Sequence, residues 1–254
     1  MADLFALTNL TDTQLYICVS VVFLAGIVRG FSGFALSALI MASLAIMIAP
    51  VELIAVCALL ELAASLLMLR GGIKDANLKI SFGLAIGSAI GAPMGLYLTN
   101  TVPIETSKTM ALCLILVLAF LQLLKVKARF LATDSGLIIS GVTAGVATGL
   151  ASVGGMVVAL YVLAREAPAK VMRASLVLFL FLGSIPSFSY LYLYDMLTTT
   201  ALARGAVLLL PCVLGVVVGQ MIFRPQLEKY YKPFCLLLLA ILASSGLLRL
   251  SIGL

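Results

Sequence analysis

Leu24-Ala-Gly-Ile-Val-Arg-Gly-Phe-Ser-Gly-Phe34 interrupts an apolar stretch, which then resumes and runs to an Ala49-Pro50 pair. A second interruption, Val142-Thr-Ala-Gly-Val-Ala-Thr-Gly-Leu-Ala-Ser-Val-Gly-Gly155, is followed in the same way by apolar sequence and an Ala167-Pro168 pair. Gly26 and Gly30 match Gly145 and Gly149 at an offset of 119 residues, and the Ala-Pro pairs match at 118. A glycine-rich break frees backbone N–H groups, and inside a bilayer such groups need a polar partner. Interrupted apolar helices at corresponding places in two halves point to the binding site of a secondary transporter.

The rest of the chain sets these breaks in a membrane. Of 254 residues, 63% are hydrophobic and 10% charged, with mean hydropathy +1.25. A soluble domain carries about 25% charged residues. Apolar segments cover roughly 15–49 (broken at 29–34), 51–70, 78–98, 106–124, 136–164 (broken at 149–155), 170–193, 200–223 and 233–250. They leave no room for a separate soluble domain. Asp3 and Asp12 precede the first apolar run with no basic residue among them, so the N-terminus does not read as a cleaved signal peptide.

Loop charges choose the topology. If both broken segments return to their starting face, each half crosses three times. Arg70, Lys74, Lys79, Lys125, Lys127, Arg129, Arg165, Lys170, Arg173, Arg224, Lys229 and Lys232 then share one face, against Lys108, Arg204 and Arg249 on the other. That is the asymmetry of the positive-inside rule. The expected fold is an all-α polytopic membrane protein of two inverted repeats, 1–130 and 131–254. Each repeat opens with a re-entrant helix pair whose limbs are about 14–17 residues long, too short to cross comfortably. Both termini lie outside the cytoplasm.

Gly91-x-x-x-Gly95 and Gly215-x-x-x-Gly219 recur at similar places in the two halves. Such spacing lets helices approach closely, within the chain or between two copies, so a homodimer stays open. Tyr16, Tyr97, Tyr190, Tyr192, Tyr194, Tyr230 and Tyr231 are the expected interfacial belt.

Chemistry is confined by what is missing. The chain has no histidine, and its five cysteines are scattered singly, so imidazole metal sites and Ser–His or Cys–His catalysis are excluded. Gly30-Phe-Ser-Gly33 fits the pattern of intramembrane serine proteases, but there is no histidine to activate the serine and no lysine lies within a predicted span. No enzyme, metal, cofactor or nucleic-acid partner is expected. The net charge of +6 flanks apolar segments, where it orients a membrane protein.

Two charges fall deep in the apolar segments. Arg29 lies about 21 Å along a helix that starts at Leu15, where a charge costs about 2.5–3.5 kcal/mol on insertion scales. A second limb starting at Ser32 to Phe34 would aim free amides at the same point, making an anion site from Arg29, Gly30, Phe31, Ser32, Gly33 and Phe34. Arg29 as a cap on the end of the first limb is the plainer alternative. Ser152, Val153, Gly154 and Gly155 form the uncharged counterpart, able to grip the same anion if the breaks meet. Glu61, about 15 Å past Val51, is either a structural partner of Arg29 or a carrier of a coupling proton. Glu52, Lys170, Arg173 and the 125–129 basic run read as solvated interfacial anchors.

The paired Gly-x-x-x-Gly-Phe-Ser-Gly-Phe and 145–155 breaks, the Ala-Pro pair after each and the later Gly-x-x-x-Gly motifs together resemble the TauE/SafE (sulfite exporter, TSUP) family over essentially the whole chain. The resemblance implies a multi-pass protein of the bacterial inner membrane that moves sulfite, sulfonates or other organosulfur anions. The residues themselves supply only a small anion. A non-transporting assembly or scaffold subunit and an anion channel remain the alternatives. The first break reads Gly-Phe-Ser-Gly-Phe where many members are richer in glycine, which points to an altered pocket.

Overall fold

The computed structural model describes residues 7–69, 73–126, 133–165, 168–222 and 228–252. Asp3, Arg70, Lys127, Arg129, Ala167 and Arg224 lie outside the described residues, as do the side chains of Lys229, Tyr230, Tyr231 and Lys232. Among those described there are ten α-helices and no strand. They are α1 (Asp12–Ser32), α2 (Leu36–Leu44), α3 (Pro50–Leu69), α4 (Leu78–Thr101), α5 (Ile104–Leu123), α6 (Asp134–Ala151), α7 (Gly154–Ala164), α8 (Ala169–Leu193), α9 (Thr199–Ile222) and α10 (Glu228–Ile252). Seven are long and apolar enough to cross a membrane, which excludes α2, α6 and α7. Side chains such as Tyr16, Ile90, Met94, Tyr97, Tyr192 and Met221 stand exposed around the outside, the surface expected to face lipid.

The limbs of each interrupted segment are unequal rather than matched at 14–17 residues. α1 has 21 residues and α2 nine; α6 has 18 and α7 eleven. The first limb of each is therefore nearly membrane-thick, and only the second is short. A capping box starts α1, with the Thr11 hydroxyl accepting from the Gln14 amide and the Thr11 amide donating to Gln14. Asn77 and Thr133 cap α4 and α6 through their side chains.

Two glycine seams hold the molecule together across the halves. Gly26 and Gly30 of α1 lie against Gly215 and Gly219 of α9, so close that a Cβ on Gly30 would sit 2.3 Å from the Val216 carbonyl oxygen. Gly87, Gly91 and Gly95 of α4 meet Gly141, Gly145 and Gly149 of α6, and a Cβ on Gly91 would lie 2.1 Å from the Val142 oxygen. Residue numbers rise together along both seams, so α1 is parallel to α9 and α4 to α6. The Gly-x-x-x-Gly motifs thus pack within the chain. Gly26 and Gly30 lie inside α1 rather than breaking it. Their missing side chains let another backbone in.

Two ion pairs mark opposite ends of the bundle. Thr8 and Glu52 meet one guanidinium, that of Arg204 in α9: its Nε donates to the Thr8 carbonyl at 2.8 Å and its Nη1 pairs with Glu52. The segment through α1 and α2 therefore begins and ends at the same end. About 30 Å away along α3, Asp75 pairs with Lys170 at 3.0 Å, and the Asn77 amide donates to the Ser175 hydroxyl at 2.9 Å. Asp75 follows α3 and Lys170 begins α8, so these two helices are antiparallel.

Pro93 inside α4 leaves the Ala89 carbonyl without its helical amide. The Tyr190 hydroxyl supplies the missing donor at 2.9 Å. Tyr190 therefore joins α8 to α4, a different job from the belt role its sequence suggests.

Candidate functional site

α1 ends at Ser32 because Gly33 turns into the left-handed region, φ 82°. Ala35 follows at φ 74°, a conformation that costs a non-glycine residue about 1–2 kcal/mol, and the chain leaves it as α2. The amides from Ser32 to Phe34 do not form the start of a helix, as the spacing suggests they would. The Gly33 amide donates to the Arg29 carbonyl at 2.9 Å and the Phe34 amide to the Ser32 hydroxyl at 3.2 Å. The first turn of α2 begins at Leu36, two residues after Phe34.

Arg29 is wholly buried, and each of its nitrogens meets an oxygen. Nη1 donates to the Gly33 carbonyl, Nη2 to the Ser65 hydroxyl at 2.8 Å, and Nε faces Glu61 Oε2 at 3.2 Å. Arg29 is thus both the cap on α1 and the partner of Glu61. Arg173, reached from α8, donates to the Gly30 carbonyl, so two guanidinium groups close the negative end of α1. That is a different setting from a solvated anchor. The other carboxylate oxygen of Glu61 accepts from the Ser37 hydroxyl at 2.9 Å and the Ser37 amide at 3.4 Å. A carboxylate therefore already sits on the N-terminus of α2, where an incoming anion would bind.

α6 ends differently. Ser152 takes the left-handed turn at φ 58°. The Ser152 amide donates to Thr148 at 2.8 Å and the Val153 amide to Ala147 at 3.2 Å. Thr99 of α4 covers the last carbonyls, donating to Gly149 at 3.0 Å. α7 then starts at Gly154 with no side chain capping it. Gly154 is forced by packing, since a Cβ there would sit 2.0 Å from the Thr148 hydroxyl oxygen.

The two stops face each other across empty space. A small cavity is lined by Ala35 and Ser37 on one side and by Ser152, Val153 and Gly155 on the other, with Glu61 between. A larger one, about 50 Å³, shares Glu61, Ser152 and Leu180 with it and rises past Thr148, Ser184 and Ser187 to Ile54, Leu96 and Leu191, toward the Glu52 end. Glu61 is the one ionisable side chain on either wall among the described residues. Arg29 stands behind it. Gly30, Phe31, Ser32, Gly33 and Phe34 line neither cavity. Gly30 belongs to the seam with α9, and Phe34 is buried in the core.

Sequence spacing passes over Ser37, Ser65 and Thr99 and reads Arg173 as a solvated anchor. Ser65 had a signal: a serine recurs 119 residues later at Ser184, and a repeated polar residue in an apolar helix calls for a partner.

Seven membrane-length apolar helices around a buried polar site make this a multi-pass membrane protein. The family model for the sulfite exporter TauE/SafE matches residues 18–245, and the chain belongs to that family, whose members are membrane transporters of sulfur anions rather than enzymes. No curated protein and no solved structure matches it.

Proposed function

We propose that the protein carries a small anion, sulfite or an organosulfonate, by alternating access at the level where α1 and α6 stop. One observation carries this: Glu61 lines both cavities while holding Arg29 and the first turn of α2. Arg29 supplies the positive charge. Ser152 to Gly155 supply a hydroxyl and the uncapped first-turn amides of α7. Residues Gly30 to Phe34 fix the end of α1 from which Arg29 reaches inward. Displacing Glu61 from Arg29 leaves a buried cation whose natural replacement partner is the substrate.

Residues 1–130 and 131–254 act as two inverted repeats. Parallel packing of α1 on α9 and of α4 on α6, with α3 and α8 antiparallel, supports that reading. So does the shared Arg204 contact of Thr8 and Glu52, which favours a first segment that returns to its starting face. The Asp75 end carries Lys74, Lys79, Lys170 and Arg173 and is assigned to the cytoplasm of a bacterial inner membrane. The large cavity then opens to the opposite side, and the halves rock to expose the site to each side in turn.

Thermal unfolding of the detergent-purified protein tests the reading, against sulfite, sulfate, taurine, sulfoacetate, acetate and chloride. A ligand bound by the folded state alone stabilises by about 2.7 kcal/mol at a hundredfold excess over Kd. Stabilisation by sulfite or sulfonates, lost in the paired variant Arg29→Gln with Glu61→Gln, is expected. A flat response to every anion overturns the proposal.

A further inference from the structure

We propose that Glu61 is a proton-binding site, and that its protonation opens Arg29 to the substrate, so that one proton is taken up with each singly charged anion. The inference rests on the anion-binding reading above.

The geometry places the carboxylate between the cation and the space. Arg29 touches neither cavity, whereas Glu61 faces both. An anion arriving from the cavity meets a carboxylate first. Two oxygens of Glu61 hold two different positive features, the Arg29 Nε and the Ser37 amide of α2. These are the groups an oxyanion would seek. Substrate and ionised Glu61 therefore compete for one set of donors, and holding both would set two negative charges against one buried arginine.

Protonation resolves the competition. An O–H bond forms on the carboxylate, with the proton drawn from solution along the cavity. The neutral acid no longer pairs with Arg29, and the anion takes its place. The buried site holds one positive and one negative charge before and after, so nothing uncompensated is left in low dielectric. Neither half-step is favourable alone. A proton without an anion strands Arg29, and an anion without a proton crowds it. That mutual requirement is a coupling between two ligands.

The other groups facing Glu61 leave it this role. α1 offers Arg29, and α2 offers Ser37. Its own helix offers Cys57, and α9 offers Cys212, both near enough for the Glu61 charge to act on them. From α4, α6 and α8 the cavity walls bring only hydroxyls and apolar side chains. Thr148, Ser184 and Ser187 each spend their proton on a carbonyl of their own helix.

Ethanesulfonate is the probe, because it stays a monoanion across the working range while sulfite itself titrates there. Binding is followed in weakly buffered detergent with an indicator dye. Uptake of about one proton per bound sulfonate is expected, and by linkage that stoichiometry lowers affinity by up to tenfold per pH unit. Glu61→Gln should bind with no uptake and no slope, while Cys57→Ser and Cys212→Ser keep both. Binding to the unmodified protein without proton uptake overturns this inference alone, as does uptake that persists in Glu61→Gln. No binding to the unmodified protein overturns it together with the anion-transport reading.

Discussion

Where α1 stops, an arginine and a glutamate face each other. Where α6 stops, 119 residues later, Thr148 stands in the place of Arg29 and Leu180 in the place of Glu61, and the space is open. The caps follow the same division. Arg29 and Arg173 close the end of α1 with charge, and the Thr99 hydroxyl closes the end of α6 without it. The two stops therefore differ in chemistry. The first stop stores a charge under its own counter-ion, and the second leaves uncapped amides beside a cavity. A site of this kind needs the halves to differ, since two stored charges would demand two counter-ions and two filled stops would leave no room for a ligand.

The strongest way to break this comparison is to give the first stop the second one's residues. Arg29→Thr alone leaves Glu61 buried without its cation, and Glu61→Leu alone leaves Arg29 without its anion. Each should cost about 3–5 kcal/mol of stability. Combined, they leave no uncompensated charge, so the pair should cost less than either single change. Unfolding of the three variants in detergent checks this. The comparison fails if the double variant loses the sum of the two. Ligand stabilisation should be absent from the double variant even where folding recovers.

That pairing was legible in the sequence. Two charges deep in apolar segments must find partners, and Arg29 and Glu61 were the only two at mid-depth. Helix spans were equally legible, because hydrocarbon demands long apolar runs. The stops fall in or beside the expected ranges 29–34 and 149–155, but the residues that make the turns were not legible. Glycine count drew the first break to 29–34, yet Gly26 and Gly30 serve the contact with α9. The turns come from left-handed residues at Gly33, Ala35 and Ser152. Two of these are not glycine, so composition gave no warning. Arg173 was illegible for another reason. A basic residue near a helix start usually reaches to the interface, and nothing in its neighbours shows that it turns inward to Gly30.

The left-handed turns sharpen the comparison at lower cost. Gly33→Ala meets two obstacles, a left-handed conformation and the Arg173 side chain, 2.8 Å from the new Cβ. A loss of about 1–2 kcal/mol from the backbone alone is expected, and more if Arg173 is pushed off Gly30. Ser152→Gly runs the opposite way. It relieves a left-handed serine, so stability should hold or rise by up to about 1 kcal/mol. Sulfonate affinity should nevertheless fall, because the hydroxyl facing both cavities is gone. Parallel unfolding and binding curves for the two variants read both effects. A destabilised Ser152→Gly would show that the second stop is as tightly built as the first.

The finest test uses the serines that match at this offset. Ser65 holds the Arg29 Nη2, and Ser65→Ala leaves a buried charged donor short of a partner, at about 1–3 kcal/mol. Ser184 donates only to Phe181 of its own helix, at 2.6 Å, and faces the cavity. Ser184→Ala removes a bond that competes with the helix rather than supporting it, so its stability should stay within about 0.5 kcal/mol of the parent. What changes is the wall that a proton or an anion meets on the way to Glu61. Slower proton uptake with unchanged folding in Ser184→Ala, beside weaker folding in Ser65→Ala, would separate the two stops by function as well as by structure. If both serines behave alike, the two stops are equivalent, and the division of labour between them is wrong.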